Sequence, residues 1–119
     1  MIYKGERLGD RTKVTVDSFA LDPRHDIRNH SPDGFEWGYH GSGPAQLALA
    51  ILAHEYRDDE DDEDDEVALK YYTRFKDEVV ANWRGSLWET DSFEVRKVID
   101  RLEKELSTRG DTKPRRGSR

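Results

Sequence analysis

The chain reads as an α+β domain, a small antiparallel sheet of three to four strands packed with about three helices. Three observations carry that reading. Apolar and polar residues alternate in short runs near the N-terminus, and three later segments repeat their apolar residues at helical spacing. With 119 residues, 34% hydrophobic and 39% charged, the chain is long enough for one core, and that core must be concentrated in those segments.

Residues 2–8 and 13–16 alternate around the turn signal Gly9-Asp10, which predicts a hairpin. Asp17-Ser18 offers a second turn into residues 19–21, extending the hairpin to a three-stranded meander. Residues 23–32 lack periodicity and form a loop. Pro32-Asp33-Gly34 is a turn signal, after which Phe35, Trp37 and Tyr39 alternate with Glu36, Gly38 and His40, the pattern of a half-buried strand whose aromatic stripe faces the core. Gly41-Ser42-Gly43 ends that strand, and Pro44 suits the first turn of a helix capped by Ser42 or Gly43, with Gln46 reaching back to the cap.

The run Leu47-Ala48-Leu49-Ala50-Ile51-Leu52-Ala53 is apolar all round, so this helix is expected to be enclosed and to form the centre of the core. Ala68, Tyr71, Tyr72, Phe75, Val79 and Trp83 predict an amphipathic helix over residues 67–82. Asp91-Ser92-Phe93-Glu94 reads as a capping box for a third helix, with Val95, Val98, Ile99, Leu102 and Leu106 on one stripe and Trp88 packed near the preceding turn.

The formal charge of −6 is set by one run: residues 58–66 are all acidic, and without them the chain would carry about +3. The run is read as a solvated insert or frayed helix start that can be deleted without loss of the fold; its rival role is as a nucleic-acid mimic. Residues 1–107 are expected to form the domain. The tail over residues 108–119 carries Arg109, Lys113, Arg115, Arg116 and Arg119 with no large apolar side chain, and is expected to be disordered. The acidic bias, with 13 Arg against 7 Lys, suits a salt-rich cytoplasm of the halophilic kind. With neither a signal sequence nor a membrane span in view, a soluble cytoplasmic protein is expected. The absence of Cys excludes disulfides, thiolate metal sites and a Cys nucleophile.

The block from Ser31-Pro32-Asp33-Gly34-Phe35-Glu36-Trp37-Gly38-Tyr39 through Gly41-Ser42-Gly43-Pro44-Ala45-Gln46 to Leu52 resembles an uncharacterised family of small phage, bacterial and archaeal proteins, a domain of unknown function. Tyr3 and Gly5 fit that family's leading Tyr-x-Gly, and the aromatic helix at residues 71–80 fits its later part. The resemblance covers the chain to about Leu106 and departs from it at the acidic run and the basic tail. It implies a single small domain, often in mobile-element neighbourhoods, and transfers no activity and no catalytic residue.

The same block carries the candidate ligand site: Asp33, Glu36, His40, Gly41, Ser42, Gly43 and Gln46. A Gly-Ser-Gly-Pro turn opening a helix presents backbone N–H groups at the positive end of a helix dipole, the physical basis of an anion site. A ligand is expected to approach over Gly38, with Ser42 and Gln46 as donors. Glu36 opposes a highly charged anion, and binding is expected to tighten on protonation of His40. On a strand, Glu36 and His40 would share one side and could serve as a general acid/base pair. The bland alternatives are a tight turn, a Glu36 paired with Arg or Lys, and a turn histidine. A Ser42–His30/His40–Asp33 triad lacks its sequence context, and the four histidines lack metal-ligand spacing, so neither a metal nor a cofactor is expected. The reading is therefore a non-enzymatic binding or regulatory module for a protein partner or a small anionic ligand. The alternatives are a small enzyme acting on a phosphate- or carboxylate-bearing substrate through Glu36 and His40, and nucleic-acid contact through the tail.

Overall fold

The expected meander forms because the hairpin registers its apolar positions on one side. In the computed structural model, which describes residues 1–60 and 62–109, β1 (Ile2–Leu8) pairs antiparallel with β2 (Arg11–Val16), which pairs with β3 (Phe19–Ala20). A fourth strand, β4 (Leu87–Asp91), joins the other side of β1, giving the order β3-β2-β1-β4. Tyr3, Val14, Val16 and Trp88 point into the core. Their neighbours Lys4, Glu6, Lys13 and Glu89 point out to an uncovered face, as a strand's period of two requires. Gly5 sits opposite Trp88, and a Cβ there would come within 2.0 Å of the indole Nε1, so only glycine lets that ring lie on the sheet.

Three helices cover the inner face, so the fold is α+β with a four-stranded antiparallel sheet. The first, α1 (Ser42–Glu55), is enclosed as its composition demands: every residue from Leu47 to Ala53 has no exposed surface. Across it lies α2 (Glu66–Glu78), burying Val67, Ala68, Tyr71 and Phe75; it gives way to a short 3-10 turn at Val80–Asn82. The last, α3 (Ser92–Arg109), buries Val95, Ile99 and Leu102, and the carboxylate of Asp91 accepts the Glu94 N–H at 2.9 Å as its expected cap. An Arg74–Glu78–Arg101–Glu105 lattice clasps α2 to α3. None of the described helices is long and apolar enough to cross a membrane.

Three sequence expectations are corrected here. Residues 35–39 are not a strand: Gly38 adopts φ +88°, and its N–H bonds to the Val80 carbonyl rather than to a sheet neighbour. Of the aromatic stripe, Trp37 is fully buried and Phe35 half-buried, but Tyr39 is 49% exposed. Residues 87–91, expected to hold only a turn, are the fourth strand.

The acidic run is also more than a solvated insert. Asp62 accepts the Val67 N–H at 2.7 Å at the start of α2, Asp65 pairs with Arg24 at 3.2 Å, and Asp59 pairs with Arg96 at 3.1 Å. Arg96 also reaches the buried Glu55 at 2.6 Å, and that carboxylate accepts the hydroxyls of Tyr3 and Ser92. Burial and the neighbouring Glu55 carboxylate push the Tyr3 phenol far above its ordinary range, so it stays a donor. The acidic run thus joins, through Asp59 and Arg96, a polar knot that links β1, α1 and α3. The basic tail beyond residue 109 lies outside the described residues.

Candidate functional site

The candidate residues gather around the start of α1, and each is held by a different part of the chain. Gly41 is the N-cap, extended at φ −176°, and its carbonyl accepts the Ala45 N–H at 3.0 Å. No side chain caps the helix, so neither Ser42 nor Gln46 plays the expected capping part. Ser42 is exposed in the first turn, and the Ser42 and Gly43 N–H groups have no acceptor among the described residues.

The glycines of the block are filled from outside rather than left open. A Cβ at Gly38 would stand 2.8 Å from the Trp83 carbonyl oxygen, at Gly41 2.5 Å from the Tyr39 ring, and at Gly43 2.7 Å from the Glu36 Cβ. Close packing explains them, and the expected ligand approach over Gly38 is blocked by the backbone of residue 83.

Glu36 and His40 are not brought together as an acid/base pair. Glu36 accepts from Arg7 at 2.6 Å, and that guanidinium also lies 4.6 Å over the Trp37 ring and donates to the Gly85 carbonyl. His40, on the exposed surface, pairs through Nδ1 with Asp77 at 3.2 Å. Burial works to raise the Asp77 carboxyl, but hydrogen bonds from Lys76 and His40 outweigh it and hold the group below its usual range. The triad is not assembled either: His30 Nε2 meets the Tyr72 hydroxyl at 2.9 Å, away from Ser42. Among the described residues no three His, Asp or Glu side chains are grouped to hold a metal ion.

Gln46 has a wholly internal role. Its side chain is fully buried, and Oε1 accepts the N–H groups of His30 and Ser31 at 2.7 and 3.1 Å. Nε2 donates to the carbonyls of Pro23 and Arg28 at 2.6 and 3.0 Å. Both donors and both lone-pair positions are used, so the residue staples the 23–31 loop to α1 and has nothing left for a ligand.

What remains is a cleft of about 500 Å³ between the tip of the first hairpin and α1, lined by Arg11, Asp33, Glu36, Tyr39, Ser42 and Gly43 among others. It joins Asp33, Glu36, Ser42 and Gly43 of the expected set; Gly41 lies just behind it, and His40 and Gln46 face elsewhere. Sequence reasoning missed Arg11, which is remote along the chain and lines the cleft only because the fold sets the hairpin tip beside the helix start. Charge in the cleft is mixed: Arg11 forms no ion pair among the described residues, Glu36 is neutralised by Arg7, and Asp33 is exposed in the Ser31–Gly34 turn.

A model described as a family of unknown function, DUF6166, matches residues 3–101. The chain belongs to DUF6166. The match takes in all of the sheet but its first residue, α1, α2, the acidic run and most of α3, so the DUF6166 unit includes both walls of the cleft. No curated protein and no solved structure matches the chain.

Proposed function

We propose that this DUF6166 domain is a non-enzymatic binding module whose ligand presents one carboxylate or phosphate group to the cleft at the start of α1. The observation that carries the reading is the meeting, in one open cleft, of the unaccepted first-turn N–H groups of α1 with Ser42, Tyr39 and the Arg11 segment of the hairpin tip. A helix N-terminus and a guanidinium favour the same sign of charge, and the hydroxyls supply directional donors. Asp33 sets the upper limit, because a polyphosphate would meet its exposed carboxylate. Glu36 and His40 hydrogen-bond to separate partners, Arg7 and Asp77, rather than to each other, which supports binding over acid/base turnover.

An NMR titration with acetate and with inorganic phosphate tests this. Shifts at the amides of residues 42 and 43, lost in Arg11→Gln and weakened in Ser42→Ala, are the expected result. Unmoved amides at those positions refute the reading, and shifts confined to residues 108–119 would transfer anion binding to the tail.

A further inference from the structure

The sheet has two edges, and only one is long enough to take another strand. β3 is two residues long, which is itself a way of closing an edge, whereas β4 runs for five residues and no strand pairs with its other side among the described residues. The register fixes which of its backbone groups are open. Arg7 donates its N–H to the Ser86 carbonyl at 2.8 Å and Ser92 donates to the Met1 carbonyl at 2.9 Å, one step beyond each end of the ladder between β1 and β4. Hydrogen-bonded and non-hydrogen-bonded pairs alternate along an antiparallel ladder. Gly5 with Trp88 and Tyr3 with Thr90 are therefore hydrogen-bonded pairs, and Glu6 with Leu87 and Lys4 with Glu89 are not. The N–H and C=O groups of Leu87 and Glu89 point away from β1, and none of them has a partner among the described residues.

Charge decides what can fill this edge. Residues 86–94 hold Glu89, Asp91 and Glu94 and no Lys or Arg. Lys4 stands across from Glu89 at 4.0 Å, but the two side chains are 63% and 62% exposed, and a pair of that kind contributes little. A second copy brought edge to edge would set one group of three carboxylates against another, so the edge is guarded against pairing with itself. A strand carrying Lys or Arg at alternate positions meets the opposite condition. Leu87, Glu89 and Asp91 share the outer face of β4, so alternate residues of an added strand would lie beside them in turn.

We propose that β4 is a docking edge for an extended basic segment of a partner protein, which adds to the sheet as a further strand. Its backbone bonds to the open groups of Leu87 and Glu89, its cationic side chains lie beside Glu89 and Asp91, and an apolar side chain covers Leu87, which is 69% exposed. The backbone bonds supply affinity with little preference for sequence, and the carboxylates choose the partner by refusing an acidic strand. Because those charges are exposed, salt weakens the association.

NMR on the full chain at low salt, titrated with two synthetic peptides, tests the proposal. One peptide alternates Lys with Val, and the other has Glu in place of each Lys. The Lys-Val peptide is expected to shift the Leu87 and Glu89 amides and slow their hydrogen exchange, while the Glu-Val peptide leaves both unchanged. Glu89→Lys, at an exposed position, is expected to lower affinity for the Lys-Val peptide about tenfold, since it replaces an attraction by a repulsion. Glu89→Pro deletes an N–H that faces away from β1, where an edge strand tolerates proline, and is expected to abolish the response at the Leu87 amide. Unchanged exchange at both amides with the Lys-Val peptide overturns the proposal. So does an equal response to the two peptides, or native affinity in Glu89→Lys. Slowed exchange at the same amides on concentrating the native chain alone would give the edge to a second copy, and overturns it as well. Neither Leu87 nor Glu89 lines the cleft at the start of α1, so the anion reading stands or fails separately.

Discussion

Gln46 is the residue whose removal should show most clearly how the block around α1 is held. Replacement by Leu keeps a buried side chain of similar size but deletes four hydrogen bonds, stranding the N–H groups of His30 and Ser31 and the carbonyls of Pro23 and Arg28. A buried polar group left unpaired costs about 1–3 kcal/mol. These four lie in a loop that can open partly to water, so the lower end applies to each, and about 3–5 kcal/mol is expected in total. That is a large fraction of the stability of a domain this size, commonly about 5–15 kcal/mol. Gln46→Glu sharpens the test. The carboxylate can still accept from His30 and Ser31, but its second oxygen would face two carbonyls at a fully buried site, which favours the neutral acid. The folded-state pKa is then raised, so the stability linked to this group is present below the unfolded value near 4.3 and is lost as pH rises through the folded value. Denaturant unfolding followed by tryptophan fluorescence should show Gln46→Glu falling further behind the native chain at pH 7.5 than at pH 4.5, with Gln46→Leu lagging by a similar amount at both. Hydrogen exchange at residues 30 and 31 should accelerate in Gln46→Leu. A loss below about 1 kcal/mol for Gln46→Leu, with those amides still protected, would refute the assignment of Gln46 as a staple.

Leu49 and Ile51 have no exposed surface, so Leu49→Ala or Ile51→Ala should each cost about 2–5 kcal/mol in the same assay. In the acidic run, Asp59→Ala, which breaks the Arg96 pair beside buried Glu55, should cost about 1–2 kcal/mol, while Glu60→Ala at an exposed position should change stability by less than about 0.5 kcal/mol. This replaces the expectation that the whole run is dispensable, and equal effects of the two changes would restore it. The Arg101 and Arg74 guanidiniums hold the Glu78 carboxyl below its ordinary range, so the stability it contributes is present above its unfolded pKa and lost as pH falls through the lower folded value. Glu78→Gln should therefore flatten the acid limb of the stability curve below about pH 4.5, and an unchanged limb would contradict the clasp between α2 and α3.

The composition and spacing of this chain were enough for the α+β class, the hairpin, the enclosed α1 and the capped α3, because each rests on contacts a few residues apart: a turn, a cap, a stripe that must face inward. β4 was equally periodic, with Trp88 and Thr90 inward against Leu87, Glu89 and Asp91 outward, but a five-residue strand beside a strong helix cap gains its partner only when β1 arrives from the far end of the chain. The aromatic run at residues 35–39 failed for the opposite reason. Its alternation was local, but its hydrogen bonds were claimed at long range: the Gly38 N–H by Val80, the Phe35 carbonyl by Thr12 and the Trp37 indole by Gly85. The site divides along the same line. That the start of α1 is rich in free donors follows from sequence, since a helix always leaves its first N–H groups unpaired. Only the tertiary fold decided that Gln46 turns inward, that Glu36 and His40 bond to separate partners, and that the hairpin tip meets the start of α1 to form the cleft, because each depends on which distant groups are brought together.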